Sequence, residues 1–304
     1  MFNSELKERL RPIVPPVVWD TVRENFYRFA FSDRRLIVHQ YKAALGRNPE
    51  LGSPETFNEK LQWLKLHWRD ELATRCADKV AVRDYVSSRV GPQVLNRIHG
   101  VHERVEDIRW DELPAACVFK ATHGSGWNIL CHDRHAADRL SIMATLSKWL
   151  RRNHFWMTRE WVYRDIPPRV LIEEMLVGEN GGIPNDYKVF CFHGQPAFIQ
   201  VDLDRFGAHR RNIYDLDWRL LPLSIKFPRA PDANPAKPPL APMLEMSSVL
   251  AAPFVHVRVD WFVVNGALRF GEMTFFHGGG IEKFFPAEWE IEFGRRMDLS
   301  GCKS

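Results

Sequence analysis

Nowhere does the sequence stay apolar for the roughly 18 residues that a bilayer-spanning helix needs. Its first dozen residues mix Glu5, Lys7, Glu8, Arg9 and Arg11 where a secretory signal would carry an apolar core. Neither a membrane span nor export is therefore expected. Cysteine is sparse and unpatterned: the five residues Cys76, Cys117, Cys131, Cys191 and Cys302 show no CxxC spacing. That argues against a disulfide framework and a zinc ribbon, and it fits a reducing cytoplasm. A dominant charge sign is missing as well. Lys and Arg number 42 against 38 Asp and Glu, and the basic doublets are scattered without any nucleic-acid-reading motif. Nucleic acid is thus not an expected partner, while the net charge of +4 suits a phosphorylated or acidic small ligand. GxSxG and HExxH are absent, and the histidines follow no ligand spacing.

What is present is ordinary globular material, 45% hydrophobic and 26% charged over 304 residues, enough for about two domains or one with an added lobe. Residues 1–75 read as helical. Phe26, Phe29, Ile37, Tyr41 and Leu45 lie near a 3.6 period, and Gly46 stands where a C-cap glycine would. Thr56 and Glu59 form a capping box before Phe57, Leu61, Leu64 and Trp68, which share one face. An amphipathic stretch over 78–89 stops at Gly91 and Pro92. Beyond it the texture is short strands and turns, mostly antiparallel, including a hairpin around His193 and Gly194. The proline-rich residues 226–242 read as an exposed loop before a helix at about 243–250.

Three constellations carry possible chemistry. Lys120 closes a short apolar run and precedes a loop with Gly124, Ser125 and Gly126, so its ammonium and exposed backbone N–H groups can face phosphate oxygens. A Walker A reading fails, because there the lysine follows the glycines and a helix comes next. Alone, an ordinary hairpin with a lysine at its rim explains this stretch better. Asp260 and Glu272 flank an Asn265, Gly266 hairpin turn, and two carboxylates on neighbouring strands can share Mg²⁺. A two-residue turn pairs Val264 with Ala267, however, and this turns Glu272 to the opposite side from Asp260. If both bind metal, the ladder must slip near Gly271, between Phe270 and Glu272. The third constellation is Glu173 and Glu174 at a strand end, with Glu179 beyond and Lys188 in the next strand. It suits an adenine hinge, and solvated glutamates are the plain alternative.

Taken in order, the segments ETFNEKLQWLKL, ADKVAVRDYV, VFKATHGSGWNI, LIEEML, DYKVFCFHGQPAFIQVDLDRF, RNIYDLDW and VRVDWFVVNGALRFGEMTFFHGGG resemble the TupA-like ATP-grasp proteins of bacterial polysaccharide biosynthesis, over about residues 46–290. The resemblance implies an α+β ATP-grasp fold in which two α+β subdomains, 76–165 and 166–304, clasp ATP behind a helical N-terminal lobe of residues 1–75. It also implies roles. Lys120, Lys188 and Arg258 would serve the phosphoryl group. Lys79, His123, Gly124, Ser125, Gly126, Glu173, Glu174, Leu176 and Glu179 would join the two lysines around the nucleotide. Asp260, Glu272 and Thr274 would hold Mg²⁺, and Arg205, Arg211, His277, Gly278 and Gly279 would meet the substrate. Thr274 departs from the family pattern, in which an Asn ends the metal strand, and this puts metal stoichiometry in question.

The activity implied is a cytoplasmic carboxylate–amine ligase acting through an acyl phosphate on small, sugar-linked carboxylate and amine substrates. A sugar kinase and a non-catalytic glycan-binding scaffold are its rivals. Residues 12–31, with Val17, Val18, Trp19 and Phe26, offer a contact with a membrane surface or a partner helix.

Overall fold

The computed structural model describes residues 16–178, 181–204, 208–233 and 235–302. The chain opens in helices α1 (Pro16–Ala30) and α2 (Asp33–Leu45). Ser32 caps α2 by accepting from Arg35 N, and Gly46 ends it in the left-handed region at φ 80°. Helix α3 (Phe57–His67) begins in the anticipated capping box: Thr56 Oγ1 accepts from Glu59 N while Glu59 Oε2 accepts from Thr56 N. Helices α4 (Glu71–Ala77) and α5 (Val82–Val90) follow, the last stopping at Gly91 with φ 92°. Among the described residues no helix is long and apolar enough to cross a membrane.

A four-stranded antiparallel sheet is built from β1 (Ile98–His102), β2 (Cys117–Ala121), β3 (Asn128–Cys131) and β4 (Val170–Glu174), in the order β1-β4-β2-β3. Helix α6 (Arg139–Leu150) covers it, burying Leu146 and Trp149 against Phe119 and Ile172. The short helix α7 (His154–Thr158) leads back to β4. A second, five-stranded antiparallel sheet follows, in the order β10-β9-β5-β6-β7. Its strands are β5 (Asp186–Phe192), β6 (Gln195–Leu203), β7 (Arg210–Tyr214), β9 (His256–Val264) and β10 (Ala267–Thr274), with the short β8 (Ser224–Ile225) pairing with β11 (Phe284–Phe285) beside it. Both tight hairpins of this sheet place two residues at positive φ, His193 with Gly194 and Asn265 with Gly266, the combination that matches strand twist. Helix α8 (Leu240–Ala251), where a helix was anticipated after the proline-rich loop, packs on one sheet face. Helix α9 (Glu288–Arg295) closes the chain.

Packing redraws two boundaries. Phe57 of α3 meets the rings of Phe190, Phe192, Phe284 and Phe293 at centroid distances of 5.7–6.3 Å. Leu61, Leu64 and Trp68 belong to the same core as the five-stranded sheet, so α3 is part of that core rather than of a separate lobe ending at residue 75. Strand β4 lies beyond residue 165, yet it is one of the two inner strands of the first sheet.

Among the described residues, α1 and α2 contribute no side chain to the cores of the two sheets. Arg159, itself buried, fastens them by donating to Tyr27 O (2.7 Å) and Phe31 O (3.1 Å) while its Nε faces Asp33 (2.8 Å). Helix α1 leaves Val22, Phe26 and Phe29 exposed, Phe29 to 77%.

Candidate functional site

Strand alternation gathers the polar side chains on one face. In β5, β9 and β10 the pairs Asp186 and Lys188, Arg258 and Asp260, and Glu272 and Thr274 are each two residues apart and so share a side. The register places Lys188 opposite Asp260 and Thr274 opposite Arg258. Glu272 reaches this face through the anticipated slip: Phe270 pairs with Trp261 but Glu272 pairs with Asp260, which leaves Gly271 as the extra residue. A Cβ on Gly271 would stand 3.0 Å from the Asp260 carbonyl, so the bulge closes tightly only with glycine. The opposite face of the sheet, with Val189, Cys191, Val257, Val259 and Trp261, is apolar core beneath α8.

Arg258 is the hub. Its guanidinium forks onto Asp260 at 2.7 and 2.6 Å, donates to Thr274 Oγ1 at 3.1 Å and lies 2.8 Å from His277 Nδ1. That last bond leaves the His277 proton on Nε2, 3.1 Å from Glu282. Glu282 in turn meets Arg211 (3.0 Å) and Lys226 (3.1 Å), Arg211 meets Asp202 (2.7 Å), and Asp202 meets Lys188 (3.0 Å). Lys188 also pairs closely with Asp186. From the other sheet, Lys120 pairs with Glu173 at 2.6 Å, and Arg83 joins the same carboxylate at 3.2 Å. Lys79 donates to Gly124 O at 2.6 Å in the glycine loop.

The electrostatics show that the two sheets face one centre. Burial alone would raise the Glu272 carboxyl, but Lys79, Arg258, Lys120 and Lys188 together hold it below its ordinary value. Burial also lowers Lys79, against the pull of Glu272. The Asp260 carboxyl is pushed up to about 7 by burial, against Arg258 and Lys188, as expected of a dry carboxylate with room for further positive charge. Among the described residues, no group of three or more His, Cys, Asp or Glu is placed to hold a metal. The donors here are two carboxylates and a hydroxyl, a set that suits Mg²⁺ completed by water and phosphate oxygens.

Several sequence expectations change. His123 does not face the cleft: it is fully buried beneath the loop, with Nε2 3.0 Å from Trp149 O, while Ser125 and Gly126 are the exposed loop residues. Glu173 is a buried counter-ion of Lys120 and Arg83, and Glu174 accepts from Arg97 N at 2.9 Å. Leu176 lies in the coil 175–178 that joins the sheets. Arg211 pairs with Asp202 and Glu282. His277 is likewise buried, between Arg258 and Glu282. Gly278 and Gly279 turn at φ 55° and 64°, and the Gly279 carbonyl accepts from Gln62 (2.9 Å) and Lys65 (2.7 Å) of α3. Glu179 and Arg205 lie outside the described residues.

Sequence reasoning missed Arg83, Asp202, Glu282, Lys65 and Glu160. Arg83, four residues after Lys79, had a usable helical spacing; the others are recruited from distant chain and carry no local pattern. Two shallow surface depressions, one lined by Phe198, Trp289 and Arg296 and the other by Val94, Met246 and Leu268, contain none of these side chains.

Acid sensitivity follows from the buried groups. Burial, helped at His154 by Lys79 and Lys65, lowers His154 and His256 to about 3 and His277 to about 4. Between about pH 6.5 and 4.5 the unfolded chain would therefore bind three protons that the folded chain refuses. Over the same range Glu160 and Asp260, raised to about 7, hold two protons that the unfolded chain releases. His123, which burial also lowers, joins these three histidines, so the refused protons outnumber the retained ones and stability should fall on acidification. Below about 4.5 the opposing carboxyls drop out. Asp202 then adds its loss: burial would raise it, but Lys188 and Arg211 hold it well below the usual range. Glu282 behaves likewise, with His277, Arg211 and Lys226 outweighing its burial. Urea midpoints at pH 7, 6, 5 and 4 should decline gently and then steeply, and a midpoint that rises on acidification would contradict the assignment.

A model of the family described as TupA-like ATPgrasp matches residues 59–298. No curated protein matches significantly. Among solved structures, the D-alanine–D-alanine ligase of Bacillus anthracis in complex with ATP is 13% identical with a TM-score of 0.44, covering 80% of this chain and 82% of that one. The same ligase without ATP in its description is 16% identical with a TM-score of 0.39, covering 66% and 56%. The ATP-grasp ligase PsnB with minimal precursor, Mg and ADP is 11% identical with a TM-score of 0.39, covering 79% and 66%. The chain spans 50–56% of the length of the first three structures it matches.

Proposed function

Because the chain belongs to the TupA-like ATP-grasp family, we propose that it is a Mg²⁺- and ATP-dependent ligase joining a carboxylate to an amine through an acyl phosphate. Small, sugar-linked substrates of a polysaccharide precursor, such as a uronic acid with an amino acid, are its proposed class, and the cytoplasm its proposed location. The observation that carries the reading is the convergence on Glu272 of four cationic side chains drawn from both sheets and from the segment before α5.

Asp260 and Glu272, with Thr274 beside them, would hold Mg²⁺, and Lys79, Lys120, Lys188 and the glycine loop would hold the phosphates. Bound there, MgATP supplies the phosphoryl group that activates the carboxylate. The chain's own task is electrostatic. A carboxylate approaching a phosphoryl group brings like charges together, and Lys120, Lys188 and Arg258 offset that repulsion in a site with little water. Arg258 is oriented by its fork on Asp260 and by His277, so its charge is fixed before substrate arrives. The exposed Ser125 and Gly126 place the tip of the glycine loop where it can cover the phosphates and exclude water from an acyl phosphate. For α1, the exposed Val22, Phe26 and Phe29 support a peripheral contact with a membrane surface or a partner helix.

The test is a screen of uronic acids and uronic-acid nucleotides with amino acids for ADP release, followed by transfer of ¹⁸O from the labelled carboxylate to inorganic phosphate. Label in phosphate supports the ligase. Stable phosphate on a hydroxyl would make the protein a kinase, and absence of MgATP binding by calorimetry would favour a scaffold.

A further inference from the structure

We propose that Glu160 is the receptor of the acceptor amine: its carboxylate binds the incoming ammonium group and takes the proton that frees the attacking lone pair. This rests on the ligase reading above and adds the protonated primary amine as the nucleophile's class.

Glu160 is buried just before the turn Trp161–Tyr163, and no Lys or Arg among the described residues lies within 4 Å of it. The nearby Lys65 directs its ammonium at two carbonyls, Thr158 O (3.0 Å) and Gly279 O (2.7 Å). The ionisable partner in reach is His154, with Nε2 3.9 Å from Glu160 Oε1, and burial keeps that ring neutral. Lys65 offsets the Glu160 charge from a distance while its donors are spent on those carbonyls, and buried carboxylates are found paired or serving a ligand. Burial, opposed by Lys65, pushes the Glu160 carboxyl up to about 7, the range suited to a base at neutral pH.

The surroundings tie this carboxylate to the reaction centre. The Trp127 ring, from the end of the glycine loop, meets His154 at 5.7 Å, and His154 meets Tyr163 at 5.0 Å. Glu272 is close enough to add to the rise of the Glu160 carboxyl. A Cβ built on Gly279 would stand 3.7 Å from Glu160 Oε1 and 4.0 Å from Lys65 Nζ, so the glycine turn passes directly beside the carboxylate.

In the transfer step, one proton of the ammonium group passes to Glu160. The nitrogen lone pair then forms the C–N bond as the acyl C–O bond breaks, and inorganic phosphate leaves with that electron pair. The second N–H proton goes to the departing phosphate, and Glu160 returns its own to water.

Wild type, Glu160→Gln and Glu160→Asp are assayed with MgATP and glucuronate or galacturonate, free or nucleotide-linked. The nucleophile is either hydroxylamine or one of L-alanine, L-lysine and L-glutamate. Hydroxylamine is largely uncharged at neutral pH and captures an acyl phosphate without a base. Glu160→Gln should keep hydroxamate formation within about threefold but lose amide formation by about 10²–10⁴-fold, with Glu160→Asp restoring part of it. Equal loss of both products, or no loss of either, in the Gln variant overturns the inference and leaves the ligase reading standing. A wild-type protein that yields neither hydroxamate nor ADP with any of these carboxylates removes the ligase reading, and the inference with it.

Discussion

Asp260→Asn should remove turnover and destabilise the protein together, whereas Glu272→Gln should remove turnover alone. Arg258 and Asp260 are both nearly dry, with side chains 9% and 5% exposed, and the fork between them accounts for both carboxylate oxygens. Taking away the forked partner leaves the buried guanidinium with only the longer contact to Glu272 at 3.6 Å, and breaking such a buried pair typically costs about 3–5 kcal/mol. The Glu272 side chain is 36% exposed and touches Arg258 only at 3.6 Å, so its neutral variant leaves the Arg258 fork in place. For activity, each loss is expected to reach about 10³-fold, since a metal ligand and a charge aimed at the phosphoryl group disappear. Urea melts beside ADP release separate the roles. A doubly substituted Arg258→Met, Asp260→Asn protein should regain much of the lost stability without regaining activity. An active Asp260→Asn protein would refute the metal assignment outright.

Lys120→Ala and Lys188→Ala should both cost about 10²–10⁴-fold in ADP release, yet differ in what they do to the fold. With Lys120 gone, Glu173 keeps Arg83 at 3.2 Å, so the Lys120 variant should remain close to wild type in its melting temperature. With Lys188 gone, Asp186 loses a close partner and Asp202 keeps Arg211, His209 and the Gln200 amide, at 2.7, 3.2 and 3.2 Å. Two acids opposite each other in the β5–β6 register would then be held by fewer cations, and the variant should melt several degrees lower. Binding of a nonhydrolysable ATP analogue, measured calorimetrically, should weaken in both. Unchanged binding in the Lys120 variant would move the phosphates away from the first sheet.

The parts of this architecture that the sequence disclosed are those written in short-range chemistry. Thr56 and Glu59 announce a helix start because both halves of the cap lie within one turn. Asn265 and Gly266 announce a hairpin because few residue pairs accept two positive φ values. The slip at Gly271 was legible because two carboxylates wanted on one face conflicted with simple pairing. Less was legible where a side chain finds its partner far along the chain. Glu173 read as a strand-end acid until Lys120 and Arg83, 53 and 90 residues away, appeared beside it. Arg211 read as a free anion receptor because nothing near it in the chain foretells Glu282, 71 residues on. Glu160 gave no sign at all, since its neighbours Lys65 and His154 come from other parts of the chain.

Helix α3 carries a consequence for anyone who would shorten this protein. Its Gln62 and Lys65 hold the carbonyls of Gly279 and Gly280, and its Phe57 fills the space between the five-stranded sheet and α9. The segment is therefore a foundation stone, not a porch. A chain trimmed to begin after residue 68 would lose the underpinning of the turn beside Glu160. One trimmed between α2 and α3 would surrender only the two outer helices and keep the catalytic face on its footing.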